Sequence, residues 1–166
     1  MKSLTVNHAG DASADNPGDS PKRIGILIPS SNTVLEPLAA NMFSNIQATV
    51  HFSRLQVIDV TLSQQSCAQF TMEKQIDAAK LLCDAGVDSL VWGGTSASWL
   101  GDDHDTRLCD LLENATGIAS GSCILEMNRL FDECNAKTFG LVTPYTSDVQ
   151  KRIIENYASM GFTCLA

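Results

Sequence analysis

The chain has 166 residues, 44% of them hydrophobic and 18% charged, which is enough apolar material for one domain with a real core and excludes a disordered or coiled-coil chain. Its formal net charge is −8, with 11 Lys and Arg against 19 Asp and Glu. That balance argues against nucleic-acid binding, which needs a basic footprint, but leaves room for a small anion held by local dipoles and hydroxyls.

Residues 1–22 are polar, carry Gly, Asp, Ser, Asn and Pro throughout, and show no periodicity; they read as a disordered tail outside the fold. From Arg23 onward strand and helix signals alternate. Arg23-Ile24-Gly25-Ile26-Leu27-Ile28-Pro29 reads as a short buried strand, followed by a helix over residues 33–43 and a strand over 49–55. Residues 56–70 are irregular and polar enough for a loop near a site. Over residues 71–85, Met72, Ile76, Ala79 and Cys83 recur at helical spacing, with Thr71 placed to cap the helix and Gly86 just past its end.

A strand follows at 89–92, then helices at 103–115, ending before Gly117, and at 122–134, capped by Ser122. A strand over 138–142 and a helix over 147–160, stopped by Gly161, complete the alternation. This order implies an α/β fold, a parallel sheet flanked by helices with right-handed crossovers, in a flavodoxin-like lobe. Phe162-Thr163-Cys164-Leu165-Ala166 begins a further strand and stops, so the chain is expected to be a fragment or a truncated product. It is also expected to be marginal or aggregation-prone in isolation, with 23–135 the better-packed part.

Three strands run into small polar residues. Trp92 is followed by Gly93-Gly94-Thr95-Ser96-Ala97-Ser98-Trp99, Pro29 by Ser30-Ser31-Asn32-Thr33, and Val142 by Thr143-Pro144-Tyr145-Thr146. Ligands of open α/β sheets bind at the carboxyl ends of strands. A Gly-Gly break lets backbone N–H groups approach a ligand, and hydroxyls beside free amides suit a carboxylate. Each stretch alone also reads as a capped turn entering a helix. Three in one parallel sheet point to a shared site at one sheet edge.

The six cysteines, Cys67, Cys83, Cys109, Cys123, Cys134 and Cys164, form no CxxC pair and no zinc spacing. Cys83 and Cys109 fit helical apolar patterns as small core residues. With no secretory signal in view, free thiols in a reducing cytoplasm are the simplest account. His51 reads as structural or surface, and His104, in Asp102-Asp103-His104-Asp105, as part of the solvated first turn of a helix rather than a metal ligand. Trp92 and Trp99 either line an aryl pocket or pack the core. No Gly-rich phosphate loop is present.

Pro29-Ser30-Ser31-Asn32-Thr33-Val34-Leu35-Glu36, Gly94-Thr95-Ser96 and Thr143-Pro144-Tyr145 together resemble the aspartate/glutamate racemase superfamily, in its maleate isomerase and arylmalonate decarboxylase branch. The resemblance runs from about Arg23 to the chain end. It implies two similar α/β lobes facing each other across a cleft, residues 23–135 being the first and 136–166 the start of the second, each lobe giving one cysteine that handles a substrate carbon, with no cofactor and no metal. The first cysteine place is Gly94 here, and the second would lie beyond Ala166. The Gly-Thr-Ser form is similar to arylmalonate decarboxylases, which keep only the second-lobe thiol.

The resemblance therefore implies a cofactor-independent isomerase, racemase or decarboxylase, or a fragment of one, acting on a small carboxylate or dicarboxylate such as maleate or an arylmalonate through an enediolate. Pro29, Ser31, Asn32, Gly94, Thr95, Ser96 and Tyr145 are the expected substrate-binding residues. Thr95, Ser96 and Tyr145 would hold carboxylate oxygens, and Ser31 and Asn32 a second polar group. No residue of the chain takes a catalytic thiol's place. The alternative is a non-catalytic carboxylate-binding or regulatory protein that has lost the thiols. The expected partner is a small-molecule carboxylate, with neither nucleic acid nor membrane; a homo-oligomer is compatible with the sequence.

Overall fold

β1 (Lys22–Pro29) has four consecutive buried residues, Gly25, Ile26, Leu27 and Ile28, because both faces of the strand are covered. It lies inside a four-stranded parallel sheet of order β2-β1-β3-β4, with β2 at Ala48–Leu55, β3 at Ser89–Trp92 and β4 at Ser120–Ser122. The computed structural model describes residues 20–57, 60–63 and 68–166. Residues 1–19, on which most of the tail reading rests, lie outside the described residues, as do Cys67 and parts of the 56–70 loop.

Six helices join the described strands: α1 (Leu35–Met42), α2 (Met72–Asp84), α3 (Ala97–Leu100), α4 (Asp102–Thr116), α5 (Cys123–Glu133) and α6 (Ser147–Ser159). α2 sits close on β1 because Gly25 carries no side chain. A Cβ there would come within 3.1 Å of Leu82 Cδ1 and Val87 Cγ2. The face that α2 buries is Gln75, Ala78, Ala79 and Leu82. That is rotated from the expected Met72, Ile76, Ala79 and Cys83 stripe, of which Ala79 is fully buried and the other three only half-buried. The adjacent alanines let the helix approach the sheet there, and Gln75 is carried inside with them. Neither of its amide atoms finds a hydrogen-bond partner among the described residues. Thr71 stands at the N-cap position of α2, yet its hydroxyl makes no cap bond.

The sequence reading missed β4, whose Ser-Gly-Ser has no apolar period. Ser122 ends it and caps α5, accepting from the N–H groups of Ile124 (3.2 Å) and Leu125 (3.5 Å). The Ser122 hydroxyl donates in turn to Asp105, which is fully buried and also meets His104 Nδ1 at 3.0 Å. The first turn of α4 is therefore not a solvated acidic turn: Asp105 is drawn inside as the acceptor for these two donors. His51, on β2, meets Thr49 Oγ1 at 3.0 Å.

The expected strand over 138–142 is shorter. β5 (Thr138–Phe139) pairs parallel with β6 (Thr163–Cys164) in a separate two-stranded sheet. The ladder continues in two further bonds, Leu165 N–H to Phe139 O (2.9 Å) and Leu141 N–H to Ala166 O (2.8 Å). Val142 is 99% exposed and Leu165 71% exposed beside this small sheet. One buried cluster nevertheless runs from Leu27, Leu90 and Trp92 through Leu108 and Leu112 to Val149, Ile153, Tyr157 and Phe162. Polar links reinforce it: the Tyr157 hydroxyl donates to Asn128 Oδ1 (2.9 Å), and Asn128 Nδ2 donates to Asp102 Oδ1 (3.0 Å). Burial pushes the Asp102 carboxyl above its ordinary range and the Tyr157 phenol up to about 12. Among the described residues no helix is long and apolar enough to cross a membrane.

The register places the site. Leu27 pairs with Trp92, Trp92 with Ser122, and Pro29 with Leu55, so the carboxyl ends of the four strands face one side. From β1 the chain crosses to β2 on one flank and then back to β3 on the other. The gap outside β1 and β3 is the topological switch point, where the two flanking loops part and leave a crevice.

Candidate functional site

A cavity of about 470 Å³ opens at that switch point. Pro29, Ser31 and Asn32 line it from the turn after β1, and Gly93, Gly94 and Thr95 from the turn after β3. Pro144, Tyr145 and Thr146, ahead of α6, close a third side. All three strand-end stretches therefore meet at one cavity. The loop after β2 adds Val57, Val60 and Phe70, and α3 adds Trp99.

The donors are specific. Asn32 Oδ1 accepts from the N–H groups of Val34 (3.0 Å) and Leu35 (2.9 Å), which starts α1 and leaves Nδ2 as the donor the side chain still has to offer. The Gly94 and Thr95 N–H groups have no acceptor among the described residues. The Thr95 and Tyr145 hydroxyls are hydrogen-bonded to each other. Tyr145 is also set by Trp99, whose ring stands edge-on to it at 5.1 Å, and Trp99 is set by Phe70 at 5.9 Å.

Ser96 is the member of the expected set that does not line this cavity. It is fully buried, and its hydroxyl accepts from Trp92 Nε1 at 3.1 Å. The indole N–H is a buried donor that needs a partner, and Ser96 is the hydroxyl within its reach. Both tryptophans pack the core, and Trp99 also lines the cavity.

Two residues were not foreseen. Arg54, at the end of β2, donates from Nη1 to the carbonyls of Ser30 and Asn32, both at 2.9 Å, and from Nη2 to Glu36 Oε2 at 2.6 Å. It thus clamps the Ser30–Asn32 turn and the first turn of α1 together. A lone cation at the end of a strand beside a polar turn was the signal available in the sequence. The other is Cys123, whose thiol donates to the Gly94 carbonyl at 3.1 Å. Its bond to Gly94 makes Cys123 a strut for the turn, and burial pushes this thiol up to about 11, as it does that of Cys109. Among the described residues no three of His, Cys, Asp and Glu come together in a way that could hold a metal ion.

A parallel α/β lobe with a hydroxyl- and amide-lined cavity at its switch point is the frame of a small-ligand site. The fold is that of maleate isomerase and arylmalonate decarboxylase, the aspartate/glutamate racemase-like fold. The maleate isomerase Iso from Pseudomonas putida S16 superposes with a TM-score of 0.73 at 22% identity, over 86% of this chain and 61% of that one. Unliganded arylmalonate decarboxylase gives 0.69 at 19% identity, over 86% and 58%. A cysteine-to-serine variant of the Nocardia farcinica maleate cis-trans isomerase, with a covalently bound succinylcysteine intermediate, gives 0.71 at 19%, over 86% and 60%. The chain thus spans about three fifths of the length of these enzymes. No family model and no curated protein matches the sequence.

Proposed function

We propose that this chain forms one wall of a carboxylate-binding active site, in an isomerase or decarboxylase that works on a small carboxylate or dicarboxylate without a cofactor. The observation that carries the reading is the turn after β3. Gly94 and Thr95, whose N–H groups have no acceptor among the described residues, and the paired Thr95 and Tyr145 hydroxyls stand in the lining of a cavity at the switch point. Fixed donors of this kind stabilise negative charge as it spreads from the α-carbon onto carboxylate oxygens, which is what enediolate formation demands. The aromatic edge of Phe70 and Trp99 suits an apolar substituent on that carbon, as in an arylmalonate. No cysteine lines the cavity among the described residues, so this wall binds and stabilises charge, and the reading assigns it no proton transfer.

Glycine at position 94, the place of the first thiol in the family the sequence resembles, favours a second reading, a protein that binds the carboxylate and does not turn it over. Calorimetric titration with maleate, phenylmalonate and aspartate, alongside a turnover assay, separates the two. Binding that Thr95→Ala weakens supports the site. Binding with turnover supports the enzyme, and binding without turnover the second reading. No binding of any of the three overturns both.

A further inference from the structure

The space beside Gly94 is already occupied. A Cβ on Gly94 would lie 2.5 Å from Trp92 Cε2 and 2.7 Å from Cη2, and closer still to Cζ2. The indole cannot readily swing aside. It is fully buried, its Nε1 donates to Ser96 Oγ at 3.1 Å, and Phe70 stands edge-on to it at 6.5 Å. The backbone is held from the other side, where the Cys123 thiol donates to the Gly94 carbonyl at 3.1 Å. Gly93 is less closely confined: a Cβ there meets the flexible end of Leu35 at 2.7 Å, with Ile26 Cγ2 at 3.1 Å and the Leu27 carbonyl at 3.3 Å. Nor is the restriction at Gly94 one of backbone conformation, since the positive-φ glycines are Gly86, Gly101, Gly117 and Gly161.

We infer that Trp92 is a positioning residue that decides what position 94 can carry. Its ring reserves that place for glycine, so the turn meets a ligand there through its backbone N–H and through no side chain. A thiol, or any other side chain that could exchange a proton with a ligand, can enter at this position only when residue 92 is smaller. The inference rests on the carboxylate reading of the cavity for its functional meaning, but not for its test.

The test is a double-mutant cycle on thermal unfolding of the full chain, with Gly94→Ala, Trp92→Phe and the two combined. Phenylalanine keeps a buried ring but lacks the distal carbons Cζ2 and Cη2. Gly94→Ala alone is expected to lower Tm by several degrees, and Trp92→Phe to lower it as well. The combined variant is expected to melt no lower than Trp92→Phe alone, because the obstacle is gone. Additive losses would overturn the inference, and so would a Gly94→Ala that melts like the parent. Trp92→Leu runs the same cycle if the smaller ring fails to pack.

The same cycle with cysteine goes with it. Gly94→Cys alone should lower Tm by several degrees, whereas Gly94→Cys in the Trp92→Phe background should melt no lower than Trp92→Phe. Additive losses there would also count against the inference. Maleate titration of the same variants reports separately on the carboxylate reading, which can fail while the cycle holds.

Discussion

Thr95 and Tyr145, 50 residues apart in the chain, share a hydrogen bond between their hydroxyls. The bond joins the turn after β3 to the loop that precedes α6, and both residues stand in the wall between the polar cavity and a second, largely apolar one of about 400 Å³ lined by Ile124, Met127, Phe131 and Ile153. Two hydroxyls so placed can each keep a lone pair or proton for a ligand while holding the other in position.

Thr95→Val and Tyr145→Phe are therefore expected to be coupled. Each should cost about 0.5–1.5 kcal/mol in urea unfolding, and the double variant should cost little more than the worse single one. Both should weaken maleate or phenylmalonate binding by calorimetry. A Tyr145→Phe variant that binds as the parent does would remove Tyr145 from the site.

Arg54 makes three hydrogen bonds on a partly exposed side chain. Lysine cannot present the same fork to two carbonyls and a carboxylate. Arg54→Lys should lose about 1–2 kcal/mol in urea unfolding, and Arg54→Met no less. Ligand affinity should fall with both, because the Ser31 and Asn32 donors lose their anchor. Unchanged stability in Arg54→Lys would show that the clamp does not hold the turn.

Gln75 is fully buried with both amide atoms unpartnered among the described residues. Removing the amide while keeping the volume takes away the cost of desolvating it. Gln75→Leu or Gln75→Met should stabilise the fold by about 1 kcal/mol, read as a higher urea midpoint at unchanged slope. A loss of stability would mean that the amide has a partner in the folded protein.

Asp88 supplies the pH dependence. The Arg23 N–H donates to it at 2.7 Å and the Lys22 ammonium at 3.0 Å, and these hold its carboxyl below the ordinary value. A carboxyl depressed in the folded state contributes stability above about pH 4, and that contribution disappears as pH falls through the lower folded value. Asp88→Asn keeps an acceptor for the N–H and removes the charge. Its Tm should fall less steeply than the parent's between about pH 4 and pH 2. Parallel curves would show that Asp88 does not link β1 to β3 through its charge.

The thiols give a further check. With Cys109 and Cys123 pushed up to about 11, each is ionised to roughly one part in a thousand at about pH 8. Brief iodoacetamide treatment of the folded protein, mapped by mass spectrometry, should label the exposed Cys134 well before either. Rapid labelling of Cys123 would end its description as a half-buried strut.

The strands that carry apolar runs were legible in the sequence, and so were the three polar stretches that meet at the cavity. Periodicity and strand-end chemistry are local, and both survive in the fold. What was not legible depended on partners far along the chain. Ser120-Gly121-Ser122 is a strand because Leu90, Val91 and Trp92 offer it a ladder, not through any pattern of its own. Ser96 looked like its neighbour Thr95 until Trp92 took its hydroxyl. The buried face of α2 was displaced toward Gln75 because close packing of Ala78 and Ala79 on the sheet outweighed an amide's preference for water.

The cavity wall has a consequence for ligand choice. Among its described residues there is no Lys, Arg, His, Asp or Glu. These described residues offer an anion neutral donors, so the salt dependence of its affinity should report the protein's overall charge of −8, with added salt easing the repulsion of an anion. Discrimination between carboxylates then falls to shape, through the spacing of a few neutral donors and the room beside Phe70 and Trp99.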